Sequence, residues 1–172
     1  MDTAHIPPVM PESEPTRLKI PAIDVSASSF IPLGLDPNGL IEVPSERKPM
    51  TLGWYKFGPT PGERGPAIVL GHVDGTPVPG KPPIPGVFFK LHELESGDKV
   101  IVYRKDGTAA RFRVTEVQRV PKEEFPTQKV YGDTAGAELR LITCGGAFDR
   151  SKQSYTDNII VYAKLDTEAP RR

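Results

Sequence analysis

The chain contains one cysteine, Cys144, in the stretch LITCGGAFDR, residues 141–150. It closes an apolar run and stands directly before two glycines. A thiolate is a strong nucleophile when a base or a cation lowers its pKa from about 8.5. The glycine pair breaks the run and leaves bare backbone that a substrate can approach. A second candidate is His72, the last residue of the apolar run AIVLGH. The other two histidines are less suited: His5 lies in a polar, Pro-rich lead, and His92 lies in the polar segment LHEL and reads as a surface residue. A thiol and an imidazole at the ends of two strands are what nucleophilic Cys–His chemistry requires. Arg150 follows Cys144 by six positions. A guanidinium there either steadies a developing oxyanion or is a solvated loop charge paired with Asp149. Cys144 likewise has a plainer reading, as a small buried hydrophobe.

The elements that must position these residues are short and β-rich. In TRLKIPAIDV, Leu18 and Ile20 alternate with Arg17 and Lys19, the period of a half-buried strand, and Pro21 stops it. SASSFIPLGL and LIEVP read as a second and a third strand. GPAIVLGH is bounded by glycine, too short for a good helix, and reads as a central strand with Ile68, Leu70 and His72 on one face. TPVPGKPPIPG, residues 76–86, holds five prolines and is expected to be a surface loop. VFFKLHEL reads as one or two helical turns. KVIVYR and ARFRVTEVQRV, joined across Lys105–Thr108, are predicted to form a hairpin. PKEEF is predicted to be a short helix with Pro121 at its start. ELRLITC and NIIVYAKL complete about eight strands. In ELRLITC, Leu139, Leu141 and Thr143 share one face; Arg140, Ile142 and Cys144 share the other. With little helix and no repeat, a closed or nearly closed all-β barrel is the expected architecture.

Composition bounds the function. The 172 residues suffice for one domain with a real core. Twenty prolines and 16 glycines favour short elements joined by turns. Lys plus Arg and Asp plus Glu both number 22, which argues against a nucleic-acid partner. One cysteine excludes an intramolecular disulfide. There is no run long and apolar enough for a membrane helix and no signal-peptide pattern at the start. Metal-ligand spacing is absent, as are the Gly-x-Ser-x-Gly elbow of serine hydrolases and the Gly-x-Gly-x-x-Gly turn of dinucleotide-binding folds. No metal and no cofactor are expected. Residues 1–15 read as a flexible Pro-rich lead, 16–166 as the catalytic domain and 167–172 as a flexible tail.

AIVLGH followed far downstream by LITCGG and an arginine resembles the sortases, cysteine transpeptidases that attach proteins to the Gram-positive cell wall. The similarity spans Arg17 to Leu165, through RLKIPAIDV, GPAIVLGHVDG, FFKLHELESGDKV and YTDNIIVYA. The ending TCGGAFDRSKQSYTDNIIVYA is most similar to the actinobacterial class F enzymes, with class E next. The resemblance implies an eight-stranded sortase-type β-barrel with one or two short helices. It implies Cys144 as nucleophile, His72 as general acid/base and Arg150 as oxyanion donor. Thr143 matches the groove-lining threonine before the cysteine, and Gly145 and Asn158 are candidate substrate contacts. The implied partners are a sorting-signal peptide of the Leu-Pro-x-Thr-Gly kind and an amine of a peptidoglycan precursor. The implied setting is a membrane-anchored, monomeric enzyme at the extracellular face. Two rivals are a binding barrel with an inert thiol and another Cys–His enzyme such as an L,D-transpeptidase. A papain-like order is disfavoured because His72 precedes Cys144.

Overall fold

The computed structural model describes residues 7–75, 78–82, 84–149 and 154–166, with the side chains of 144–149 and 154–156 left out of the description. Nine strands are found among these residues: β1 Pro15–Ile20, β2 Val25–Ala27, β3 Phe30–Leu33, β4 Leu52–Tyr55, β5 Gly65–Leu70, β6 Lys99–Arg104, β7 Ala109–Pro121, β8 Ala137–Asp149 and β9 Ser154–Leu165. They form one sheet in the order β2-β1-β6-β7-β9-β8-β5-β4-β3. The sheet curls so that β1, near one edge, approaches β3 at the other. The result is the sortase-like β-barrel expected from the sequence. Most pairs are antiparallel; β3 with β4 and β5 with β8 run parallel.

The strand assignments differ from expectation in four places. The glycine pair does not end β8, which runs through Gly145 and Gly146 to Asp149 because β9, starting at Ser154, still pairs with it there; Cys144 lies within the strand. SASSFIPLGL divides in two: β2 turns back on β1, while β3 joins the far edge beside β4. LIEVP is not a strand. Asp36 Oδ1 accepts from the backbone N–H groups of Asn38 and Leu40, and the turn this makes leaves only an isolated bridge between Leu35 and Ile41. The strand β4 lies in TLGWY, where Gly53 obscures the alternation. That glycine is needed because the Leu33 side chain fills the space of its missing Cβ, 2.3 Å away. The hairpin of β6 and β7 forms as expected, with Gly107 at φ +90° and Asp106 Oδ1 accepting from Thr108. Helix is scarce: α1 spans Thr127–Tyr131, and single 3-10 turns cover Pro21–Ile23, Leu91–Glu93 and Lys122–Glu124, the last just after Pro121.

Alternation along the strands makes two apolar layers. Inside the barrel lie Leu18, Ala67, Val69, Val100, Phe112, Leu139, Leu141 and Val161, closed off by Phe88 and Leu91. On the outer face of β5, β8, β9 and β7 lies a smaller cluster of Ile68, Ile142, Ile160, Tyr162 and Val120, covered by Val130 of α1. Each such side chain contributes about 1.5–3 kcal/mol on burial. β8 and β9 are therefore apolar on both faces, as central strands must be.

Residues 7–14 precede β1 and are tied to the barrel. Met10 N donates to Gly62 O at 2.8 Å, and Ser13 N donates to Thr60 Oγ1 at 3.0 Å. The buried Arg104 guanidinium donates to the carbonyls of Pro11 (2.7 Å) and Pro61 (3.1 Å) and pairs with Asp106.

Candidate active site

The parallel pair β5 and β8 decides which residues meet. Val69 pairs with Leu141 and Leu70 with Ile142; Gly71 N then donates to Ile142 O at 3.2 Å. His72 lies two residues beyond Leu70, and Cys144 two beyond Ile142. Parallel strands in register advance together, so the backbones of residues 72 and 144 come level, although β5 ends at Leu70 while β8 continues to Asp149. Across the other edge of β8, Cys144 pairs with Asn158 of β9. Beyond Gly145 the ladder is irregular, with a register shift before Phe148.

The glycine before His72 has a steric cause. A Cβ at Gly71 would lie 2.7 Å from Phe88 Cδ2 and 2.8 Å from Val87 Cγ1, both buried. After His72 the chain forms a ribbon with the end of the Pro-rich stretch. Phe88 N donates to His72 O at 3.0 Å, Gly86 N to Val73 O at 2.6 Å, and Gly75 N to Ile84 O at 2.7 Å. Gly86 sits flush against the His72 carbonyl, where a Cβ would be 2.2 Å from the oxygen. The Pro-rich stretch therefore returns to hold the backbone of His72. The imidazole is partly exposed, and its Nε2 meets the carbonyl oxygen of Pro44.

Other sequence-predicted residues fall as follows. Thr143 is buried at 4% exposure, and its Oγ1 has no hydrogen-bond partner among the described residues. It pairs with Ile159, a core residue, so it sits at the end of the interior rather than on the surface. Asn158 is partly buried and its Nδ2 donates to Thr143 O at 3.4 Å. Gly145 pairs with Asp157, whose carboxylate is 4.0 Å from Arg119. Arg150 and His5 lie outside the described residues. His92 is exposed beside Glu93, as its polar segment suggested.

Two features escaped the sequence reading. Asp74 follows His72 by two positions; its Oδ1 is sealed with no partner among the described residues, and burial pushes its carboxyl above the ordinary value. A short apolar strip, Ile41, Tyr55, Leu70 and Phe125, borders the outer cluster on β5 and β8. Phe125 stacks on Tyr131 at 5.9 Å, and Tyr55 meets Phe57 edge-on at 5.9 Å. Burial raises the Tyr131 hydroxyl, with a further contribution from Tyr55. The strip draws on a loop, β4, β5 and the segment before α1, so no single periodicity could have flagged it. No group of His, Cys, Asp and Glu that could hold a metal ion occurs among the described residues. No helix among them is long and apolar enough to cross a membrane.

His72, two residues past the end of β5, and Cys144, within β8, come level on neighbouring segments of a curled all-β sheet. The sortase-domain family profile matches residues 18–166, and the chain belongs to the sortase family, a family of cysteine transpeptidases. Its fold is similar to that of a lid mutant of sortase A from Corynebacterium diphtheriae, with TM-score 0.65 and 17% identity over 94% of this chain and 74% of that one. Sortase C-1 from Actinomyces oris aligns with TM-score 0.62 and 20% identity over 87% and 72%. Streptococcus agalactiae sortase C1 in complex with MTSET gives 0.62 and 16% over 91% and 69%. No curated protein sequence matches the chain.

Proposed function

We propose that this chain is a transpeptidase of the class F kind that cleaves a Leu-Pro-x-Thr-Gly-like sorting signal between Thr and Gly. The acyl part is then joined to an amine of a peptidoglycan precursor. One observation carries the reading: the parallel register of β5 and β8 brings residues 72 and 144 level on neighbouring segments.

The chemistry follows from those residue types. The Cys144 thiolate attacks the threonine carbonyl, and the carbonyl electron pair moves onto oxygen. Arg150, or a backbone N–H near Gly145, donates to that oxyanion. The intermediate collapses, the C–N bond breaks, and His72 protonates the departing glycine amine. A thioester joins the threonine to Cys144. An incoming amine loses a proton to His72, attacks the thioester and expels the thiolate. Asn158, paired with Cys144 across the ladder, is an uncharged donor on the adjoining strand. Ile41, Tyr55, Leu70 and Phe125 offer an apolar strip suited to the Leu-Pro end of the signal. The setting we propose is a monomer on the extracellular face, reached by a membrane anchor upstream of the Pro-rich lead.

Mass spectrometry of the chain incubated with a panel of sorting-signal peptides and amines tests this. The expected result is peptide cleaved at Thr-Gly, an acyl adduct on Cys144 and product joined to the amine. Cys144→Ala is expected to give none of these, because no other thiol exists in the chain. A native Cys144 that resists iodoacetamide, with no peptide cleaved, would return the barrel to the binding-module reading.

A further inference from the structure

The proposed role of His72 leaves open which ring nitrogen handles the proton, and the loop between β3 and β4 bears on that question. We propose that the main-chain carbonyl of Pro44 is the positioning group that fixes the tautomer and direction of His72. Nδ1 is then the atom that exchanges protons with the thiol and the amines. The inference rests on the reading of His72 as the acid/base.

A carbonyl oxygen can only accept. The ring nitrogen that meets Pro44 O, Nε2, is therefore an N–H. In the neutral imidazole a proton on Nε2 leaves the lone pair on Nδ1. In the imidazolium both nitrogens carry protons, and the bond to Pro44 is kept. The ring thus passes between its two states without turning. The same logic orients metal-bound and triad histidines, in which the partner of one nitrogen sets the work of the other.

The loop is built to hold that carbonyl still. Proline at 44 fixes its own φ and biases Val43 toward extended backbone. Gly34 N donates to Glu42 Oε1 at 2.8 Å, which closes the loop before Pro44. After it, Lys48 N donates to Ser45 O at 3.0 Å, and Thr51 N to Lys48 O at 3.0 Å. Val87 N donates to Pro49 O at 2.9 Å, which ties the loop to the segment whose Phe88 N holds the His72 carbonyl. Gly75 completes the seat: a Cβ there would meet Pro49 Cγ at 3.1 Å and Glu46 O at 3.4 Å. One backbone framework therefore grips both His72 and its acceptor.

Long-range proton–nitrogen NMR of the histidine rings in the intact chain reads the tautomer directly. His5→Gln and His92→Gln variants assign the signals. The expected result is a single neutral form protonated at Nε2, its proton in contact with residues 44 and 45. A ring protonated at Nδ1, or an even mixture of tautomers, would overturn the proposal whether or not the chain cleaves peptides. The functional arm uses Gly75→Val, which pushes Pro49 and Glu46 away. Once the Pro44 contact is lost, mixed tautomers and a kcat lower by about tenfold are expected, with the peptide KM within twofold. Unchanged kcat in that state, or a single tautomer kept without the contact, would overturn the proposal. Failure to cleave any peptide by the parent chain would count against the function alone.

Discussion

Adding one methyl group at Gly71 tests the packing beneath His72. The new Cβ of Gly71→Ala lies 2.7 Å from Phe88 Cδ2, 2.8 Å from Val87 Cγ1 and 2.9 Å from Phe88 Cε2. Carbon atoms prefer about 3.5–4.0 Å, so the overlap is roughly 1 Å against two residues that are 1% and 3% exposed. Such overpacking costs about 1–3 kcal/mol. For a chain of this size that lowers Tm by about 2–4 °C per kcal/mol, or roughly 2–12 °C in all. The activity loss is expected to exceed what unfolding explains. Relief of the clash moves residues 87 and 88 away from β5, and Phe88 N is the donor to the His72 carbonyl. A displacement of that order costs about 10- to 100-fold in kcat/KM. The assay pairs thermal melting with kcat/KM at a temperature where both proteins are folded. Gly71→Ala combined with Phe88→Leu makes room for the methyl group, and the double mutant is expected to be more stable than the sum of the single effects by at least about 0.5 kcal/mol. A Gly71→Ala protein with the parent Tm and kcat/KM, or strict additivity in the cycle, would refute the steric account of the Gly-His pair.

Asp74→Asn is expected to raise stability at neutral pH and not in acid. Burial lifts the folded carboxyl above its ordinary 3.8, so the native state holds that proton more tightly than the unfolded chain. The associated stability is fully present below about pH 3.8 and is lost as pH rises through the folded value. Asn removes the charge that burial disfavours, so Tm is expected to rise at pH 7 and to change little at pH 3; equal shifts at both would count against it. Arg104→Gln removes charged hydrogen bonds to Pro11 and Pro61, at roughly 1.5–3 kcal/mol. Hydrogen exchange should then quicken in residues 9–14 while β5 and β8 stay protected, and unchanged exchange there would contradict the tether. Arg150→Ala is expected to lower kcat by about 100- to 1,000-fold. Arg150→Lys should do nearly as much because the planar fork is lost, and Asn158→Ala should do less; an Arg150→Ala enzyme within a few-fold of the parent would shift the oxyanion role to Asn158 or backbone donors.

Much of the barrel was legible because its strands carry their own period. AIVLGH and ELRLITC are runs that can be little else, and the two-faced split of Leu139 and Leu141 against Arg140 and Ile142 reappears as the inner and outer clusters. The hairpin across Lys105–Thr108 was legible because Asp106 and Gly107 are turn residues wherever they occur. LGWY was missed because Gly53 answers to Leu33, a residue 20 positions away that no local window contains. LIEVP misled because its apolar residues have the period of a strand, but the turn at Asp36 leaves it only the single bridge from Ile41 to Leu35.

By itself the sequence determined the cast: one thiol, one histidine at a strand end, strands short enough to present both, and no charge excess or metal spacing to suggest other chemistry. Only the tertiary structure decided that β5 and β8 are neighbours, parallel and in register, so that two residues 72 positions apart in the chain come level on adjacent segments. It alone put the Pro44 carbonyl on His72 and assembled Ile41, Tyr55, Leu70 and Phe125 into a strip. The physical reason is range. Period, turn chemistry and residue type act within a few positions of the chain. Strand partnership and register are settled by which faces bury each other across the whole barrel, and a shift of one residue would turn every apolar side chain to the wrong face.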